Sequence, residues 1–358
     1  MNFKQKAEEK FEELEMPSSI RTPGRTWTRY PDVEEFNIKE KDFQPEMDVE
    51  GEAEVFTGEE AIEAAGDKLF DSIKVDEDRM NAFHAANLNS IIYIEAEGEA
   101  EVQLDYDTTS NVFSHLVVET SRNAELTVTE SLTGTNEIQT SFNEFYLGEN
   151  STLRYGSVEA SESELSYSRR KAVLDRDAKI EWLNSQFEGD LNRTKVETVL
   201  KGDNSEADMQ GIWYPTEDQH VDISLHVRHI GTNTRCDMDS RAVVDDEARS
   251  VYEGLQKVED EADDTQSFQN ENVLTLSNDA EVDASPKLMI EDPDVEASHA
   301  ASAGNLPEKE LHYLESRGLS EEKAQRLIVK GFFEPVLKEV ELPDLKERIR
   351  DEVERKLK

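Results

Sequence analysis

Four copies of one six-residue pattern recur in the middle of the chain at a constant stride, and a constant stride leaves few folds open. Asn123-Ala124-Glu125-Leu126-Thr127-Val128 is followed by Asn150-Ser151-Thr152-Leu153-Arg154-Tyr155, Asp177-Ala178-Lys179-Ile180-Glu181-Trp182 and Asn204-Ser205-Glu206-Ala207-Asp208-Met209, each starting 27 residues after the one before. Every copy opens on a turn-forming Asn or Asp, continues with a small residue, and then places apolar side chains two apart. That is a corner feeding a strand whose alternate residues point inward. A strand-sized unit stacked on copies of itself is a solenoid. Looser copies stand at Glu99-Ala100-Glu101-Val102-Gln103-Leu104 and Asp279-Ala280-Glu281-Val282-Asp283-Ala284. The alternative is a β-sandwich with evenly spaced hairpins. Equal intervals weigh against it, because sandwich loops vary more in length.

The periodicity divides the chain into three. Residues 1–85 read as mostly helical with loops. Lys6 to Met16 is helix-prone and stopped by Pro17, an irregular stretch carries Pro23, Gly24, Pro31 and Pro45, and Gly58 to Ile73 has Ala61, Ile62, Ala65 and Leu69 at helical spacing. From about Ser90 the period is two, as in Ile92, Ile94 and Ala96, and it persists to about Ile290. Only Pro215 and Pro286 interrupt this stretch, as ladders that use every backbone donor require. Strand structure is expected over 86–297. Over 298–358 the helical period returns. Pro307 stands near the first turn of a helix ending at Arg317-Gly318, Ser320 caps a second that carries Ala324, Leu327, Ile328, Phe332 and Phe333, and Pro343 opens a third.

Composition narrows the function. Among 358 residues, 82 are acidic and 39 basic, for a net charge of −43. Such a surface repels nucleic-acid phosphates, whose binding needs Lys and Arg. The regular strand pattern argues against disorder, so the charge is read as adaptation to a salt-rich cytoplasm. At about 1 M salt the Debye length falls to about 3 Å and surface carboxylates scarcely repel one another. The start of the chain lacks a signal-like apolar stretch and no run approaches a membrane helix, so a soluble, cytoplasmic protein without membrane contact is expected. The single Cys236 excludes an internal disulfide and any multi-cysteine metal site.

Catalytic signatures are absent. None of the 16 glycines is followed by Lys, so there is no Walker loop, and neither His-Glu-x-x-His nor Gly-x-Ser-x-Gly occurs. Asp-x-Asp pairs such as Asp105/Asp107, Asp175/Asp177, Asp237/Asp239 and Asp292/Asp294 are what 82 carboxylates produce by chance, and none continues as a calcium loop. A carbohydrate-active β-helix enzyme needs only paired carboxylates. It is the enzymatic alternative, disfavoured by the 7% aromatic content. His226 and His229 differ by an odd number, so on one strand they face opposite sides; with His220 they read as core or solvated histidines. Cys236 reads as a buried, inert side chain. Phe332 and Phe333 are adjacent, so either one packs inward and the other is left for a partner, or both belong to a helical core.

Ser298-His299-Ala300-Ala301-Ser302-Ala303-Gly304-Asn305-Leu306, Leu311-His312-Tyr313-Leu314-Glu315-Ser316-Arg317-Gly318-Leu319 and the run from Ala324 to Val336 resemble the closing segment of the SufB/SufD family, scaffold subunits of the Suf iron–sulfur cluster assembly machinery. His220-Val221-Asp222, His229, Asn233-Thr234 and the rung from Arg241 to Gly254 resemble further parts of it, so the likeness covers roughly residues 85–340. More weakly, Met16-Pro17 to Trp27-Thr28-Arg29-Tyr30 resembles the start of SufD-type chains.

The resemblance implies a mainly β fold, a right-handed parallel β-helix flanked by N-terminal and C-terminal helical regions. It implies a non-enzymatic scaffold that pairs with a SufB-type paralogue through the β-helix and holds a SufC-type ABC ATPase through the C-terminal helices. SufB-type chains carry a Cys in the last rung and a Glu after the C-terminal His; Ala284 and Ala300 stand here instead, which points to the SufD-like member. His299 is then the candidate ligand for a nascent cluster at the partner interface, with no cofactor permanently bound, and is expected between a strand and a helix. Leu327, Ile328, Phe332, Phe333 and Val336 are the candidate partner-binding residues on the ATPase side. Pro335 interrupts a segment that is continuous helix in the family and is expected to kink or end it. A homodimeric family member acting without a separate SufB is the second reading.

Overall fold

The computed structural model describes residues 3–17, 21–22, 25–26, 28–38 and 42–357. Pro23, Gly24 and Trp27 lie outside the described residues. The repeat is explained at its first position. Asn123, Asn150, Asp177 and Asn204 all have positive φ, between 58° and 65°. Among non-glycine residues Asn and Asp tolerate that left-handed conformation best. Stacked corners then support one another. The Asn150 amide donates to Asn123 Oδ1 at 2.8 Å, and Asn204 donates to Asp177 Oδ1 at 2.8 Å. Beyond each corner Ala124, Leu126 and Val128, and their counterparts in the later copies, are buried inside. The strands lie parallel and in register, with Leu126 beside Leu153, Leu153 beside Ile180 and Ile180 beside Ala207.

The ladder extends past the four copies. Asn233 is a fifth corner with φ 53°, and its amide donates to Asn204 Oδ1 at 2.7 Å. Asp264 is a sixth, with φ 57°. The turns widen from 27 to 29 and then 31 residues, which hid these copies from a constant-stride reading. Cys236 is the inward residue of the fifth copy, in register with Ala207, and burial pushes its thiol well above the usual range.

The long strands Glu125–Leu147 and Thr152–Leu174 run across both faces of the solenoid. Thereafter each turn contributes two. Lys179–Gln186, Glu206–Trp213, Arg235–Val244, Thr265–Thr275 and Val295–Asn305 stack on one face; Leu191–Leu200, His220–His229, Arg249–Val258 and Glu281–Ile290 stack on the other. The result is a β-solenoid of about eight turns between N-terminal and C-terminal helices. The two looser copies fall elsewhere. Glu99 pairs with Glu125, two residues off the corner register, and the Asp279 copy leads into the opposite face, where Val282 pairs with Ser250.

The N-terminal segment departs from a helical reading. Helices α1 (Phe3–Phe11), α2 (Gly58–Ala65) and α3 (Arg79–Asn87) frame a 12-residue strand, Glu46–Thr57. That strand pairs antiparallel with Ser90–Thr108. Its alternation of Met47, Val49, Ala53 and Val55 is broken by a register shift between Gly51 and Ala53, where Gly51 has φ +87°. Helix α2 stops at Gly66 (φ 51°), short of Ile73. At the carboxyl end α4 (Glu308–Ser316), α5 (Glu321–Glu339) and α6 (Pro343–Lys356) follow. Gly318 has φ +93° after α4, and Ser320 Oγ accepts from Lys323 N at the start of α5. Both termini of helix were legible from these caps.

Two residues before the Asn150, Asn204 and Asn233 corners, Gly148, Gly202 and Gly231 line one edge of the stack. A Cβ on Gly202 would collide with the backbone nitrogen of Arg176 in the turn below. Gly202→Ala is therefore expected to cost about 1–3 kcal/mol through forced separation of two turns, read as a lower urea midpoint with an unchanged slope.

Candidate functional site

At the last turn of the solenoid the parallel ladder ends in the open. Strands Glu281–Ile290 and Val295–Asn305 each pair with the preceding turn and stand at the two ends of the strand order. Each offers a row of backbone donors and acceptors along its free side. Pro286 lies in one of them, where a missing donor is tolerated. Met289 and Ile290 are 49% and 42% exposed.

His299 lies within strand Val295–Asn305 rather than between a strand and a helix. Six further residues, Ala300 to Asn305, continue the parallel ladder against Asn270 to Thr275. Alanine, serine and glycine carry no apolar alternation, so this strand had little sequence signal. His299 is exposed and sits in register over Gln269, an inward, buried residue. On the other face Ala284 sits over Tyr252, also inward. Beneath them Gln269 Nε2 donates to the Tyr252 hydroxyl at 3.3 Å across the interior. His299 and Ala284 thus occupy facing positions on the open turn. Ala300, one residue on, takes the outward register over Asn270.

One residue beside this site was missed. Glu271 is 1% exposed, neither carboxylate oxygen has a hydrogen-bond partner, and burial pushes its pKa up to about 8. Its only sequence signal is its place in the inward series Thr265, Ser267, Gln269, Glu271, Val273, which 82 carboxylates conceal.

Helices α5 and α6 lie on the outer face formed by Val158, Leu183, Ile212, Tyr214, Val243 and Leu274. This placement sorts the five candidate partner residues. Phe333 and Val336 are buried against the solenoid, with the Phe333 ring 6.3 Å from that of Tyr214, so they are core and not docking surface. Leu327 is 52% exposed, and Ile328 and Phe332 are half-buried. These three line a groove of about 680 Å³ between α4, α5 and the terminal strand, together with Leu314, Ala303 and Arg241. Arg241 donates to the Phe332 carbonyl at 2.8 Å and lies over its ring. Of the adjacent pair, Phe333 is the inward one. Helix α5 runs through Pro335 to Glu339, so the proline removes a backbone donor without ending the helix.

The three histidines of strand His220–His229 are tied into the fold. His229 bonds Thr234 and Ser267 inside the solenoid, His226 bonds Glu253 at 2.8 Å, and His220 lies 3.2 Å from Thr28. Thr28 also donates to Asp222, which holds Arg193 at 2.8 Å, so the His-Val-Asp stretch anchors the N-terminal segment. Among the described residues no three His, Cys, Asp or Glu side chains converge as a metal site, and no helix is long and apolar enough to cross a membrane.

Residues 102–332 match the model of the SUF system FeS cluster assembly, SufBD core domain. The chain belongs to the SufBD family. It is a SufD-like member of these iron–sulfur cluster assembly proteins: it is 33% identical over 302 residues to the iron-sulfur cluster assembly protein SufD of Bacillus subtilis, an alignment covering 80% of this chain and 69% of that protein. A SufBD family protein of Pyrococcus horikoshii is 28% identical over 288 residues, covering 76% of this chain and 63% of its own length. One from Mycobacterium leprae is 28% identical over 198 residues, covering 53% and 50%.

Proposed function

We propose that this SufBD protein serves as the SufD-type, non-catalytic scaffold subunit of a cluster assembly complex. It pairs with a SufB-type paralogue through the open turn and holds a SufC-type ABC ATPase through α4 and α5. The observation that carries this reading is His299 on the free edge of the last turn, facing Ala284 in a chain whose only thiol is sealed inside. The nascent cluster is cargo. One imidazole cannot hold it, so thiolates come from the partner, across an interface made by adding strand to strand. Buried Cys236 supplies none, which weighs against a homodimer working alone. Leu327, Ile328 and Phe332 form the ATPase contact, and movement of α5 against the solenoid transmits the ATPase cycle to the paired turns. The 82 carboxylates fit a chain that works in a salt-rich cytoplasm.

The test is His299→Ala in the co-purified complex under anaerobic conditions, with iron and sulfide analysis. An exposed side chain is removed, so folding and assembly are expected to match wild type while cluster yield falls at least tenfold. Unchanged yield rejects the role of His299.

A further inference from the structure

The solenoid has a second free edge, at the end opposite His299. Strand Glu46–Thr57 pairs with Ser90–Thr108, and among the described residues no strand pairs with its other side. Cross-strand register sorts its side chains. Met47 pairs with Leu104 and Val49 with Val102, both inward and fully buried, yet Met47 and Val49 are each 41% exposed because no further layer covers them. Glu46, Asp48 and Glu50 alternate with them on the outer face, opposite Asp105, Gln103 and Glu101. The straight run ends at Gly51, where the bulge interrupts the register, so Glu46 to Glu50 is the length open to pairing.

Farther along the same outer face, carboxylates are answered by cations. Arg154 lies 3.3 Å from Glu181, Lys179 lies 2.9 Å from both Glu181 and Asp208, and Arg235 lies 2.6 Å from Asp237. Toward the free edge the cations run out. In the outward row Glu50, Glu101, Thr127, Arg154, the first positive charge stands on the fourth strand. Glu50, Glu52, Glu99 and Glu101 have no ion pair among the described residues. With Glu125 they line a cleft of about 490 Å³, in which Arg154 is the only cation among the lining residues.

We propose that the free edge of strand Glu46–Thr57 is a strand-addition site for a partner segment in which apolar and basic residues alternate. The backbone of that segment bonds the open donors and acceptors, its apolar side chains cover Met47 and Val49, and its Lys or Arg meet Asp48, Glu50 and Glu101. A second copy of this chain is a poor occupant. Its Glu46, Asp48 and Glu50 would face their own counterparts, and like charges directly opposite are destabilising. The charges that guard an edge against self-pairing attract a basic strand. The site lies at the other end of the solenoid from the open turn, so it stands or falls independently of the role of His299.

The probe is a short, fluorescently labelled peptide of alternating Lys and Val. It is titrated into the purified full chain in about 1 M KCl, where a Debye length of about 3 Å removes long-range attraction. Saturable binding is expected, with slowed hydrogen exchange at the amides of Glu46 to Glu50. The same peptide N-methylated along its backbone keeps its charge and loses its donors, and should bind about tenfold more weakly. Glu50→Lys combined with Glu101→Lys should weaken the unmodified peptide about tenfold. Asp218→Lys combined with Asp260→Lys makes the same change in net charge at exposed turns elsewhere and should leave affinity unchanged. Glu50 and Glu101 are exposed and oppose each other, so the melting temperature of their double variant should equal or exceed that of wild type, which separates lost binding from lost fold. No binding, equal binding of the N-methylated peptide, equal loss in the two double variants, or unchanged exchange at Glu46 to Glu50 overturns the proposal. So does a dimer of the chain alone that Met47→Lys dissolves, since the occupant is then a second copy.

Discussion

Arg170→Met is expected to destabilise the chain by about 3–5 kcal/mol, the usual consequence of removing one partner from a buried ion pair. Arg170 is 1% exposed and crosses the solenoid interior. Its Nη2 meets Glu159, Nε donates to the Tyr155 hydroxyl at 2.9 Å, and Nη1 donates to Asn184 at 3.1 Å. Glu159 also accepts from the hydroxyls of Ser166 and Ser168. Glu130, close by, accepts from Tyr155 and Asn143, and burial raises its pKa. Without the guanidinium, Glu159, itself 1% exposed, becomes an uncompensated buried charge. The double variant Arg170→Met, Glu159→Gln is expected to recover most of the loss, because an amide still accepts from both serines and carries no charge. Urea midpoints for the two single variants and the double give the coupling directly. Simple additivity would mean that the pair is not a unit.

The second large effect is a pH dependence with two opposing parts. His229 is fully buried, with its ring nitrogens 2.8 and 3.0 Å from Thr234 and Ser267, and burial pushes its pKa down to about 4. The unfolded chain takes up this proton near the ordinary value of 6.5, whereas the folded chain does not until about 4. Stability is therefore present above 6.5 and is lost as pH falls toward 4, by about 3 kcal/mol. Buried His84 shifts in the same direction, also by burial first. Glu271 acts oppositely. Its folded carboxyl holds a proton up to about 8, against 4.5 unfolded, so its contribution is present at low pH and lost as pH rises through that interval. The wild-type profile sums both. Comparing it with His229→Gln isolates the first part: the difference in folding free energy between the two should change by about 3 kcal/mol from pH 7 to pH 4. A constant difference would show that the imidazole is not held neutral.

What could be read from residues alone follows from how tightly the backbone constrained them. The corner Asn and Asp residues were visible because a positive φ admits few side chains, and the strands after them because one face is sealed. Where those constraints relax, the signal fades. Asn233 and Asp264 make the same corner, but two to four extra residues per turn shift them off the stride. Strand Glu46–Thr57 has one neighbour and an exposed face, so its alternation is diluted by glutamates. Strand Val295–Asn305 is built of small residues because it covers little. The candidate side chains were unevenly legible for a related reason. His299 stood out through the resemblance, whereas Glu271 looks like any other carboxylate until burial is known. Which face of α5 turns inward was ambiguous at Phe332-Phe333, since only the outward residues of the neighbouring sheet decide it.

The corner column also sets how the molecule could change in size. Each turn from one Asn corner to the next is a self-contained layer that meets its neighbours through the same backbone ladder and the same amide contact. Deleting or duplicating one such layer would move the two ends of the solenoid by about 4.8 Å and leave the chemistry of both untouched. Reach between the antiparallel strand at one end and the open turn at the other is thus quantised, adjustable in whole layers and in nothing smaller.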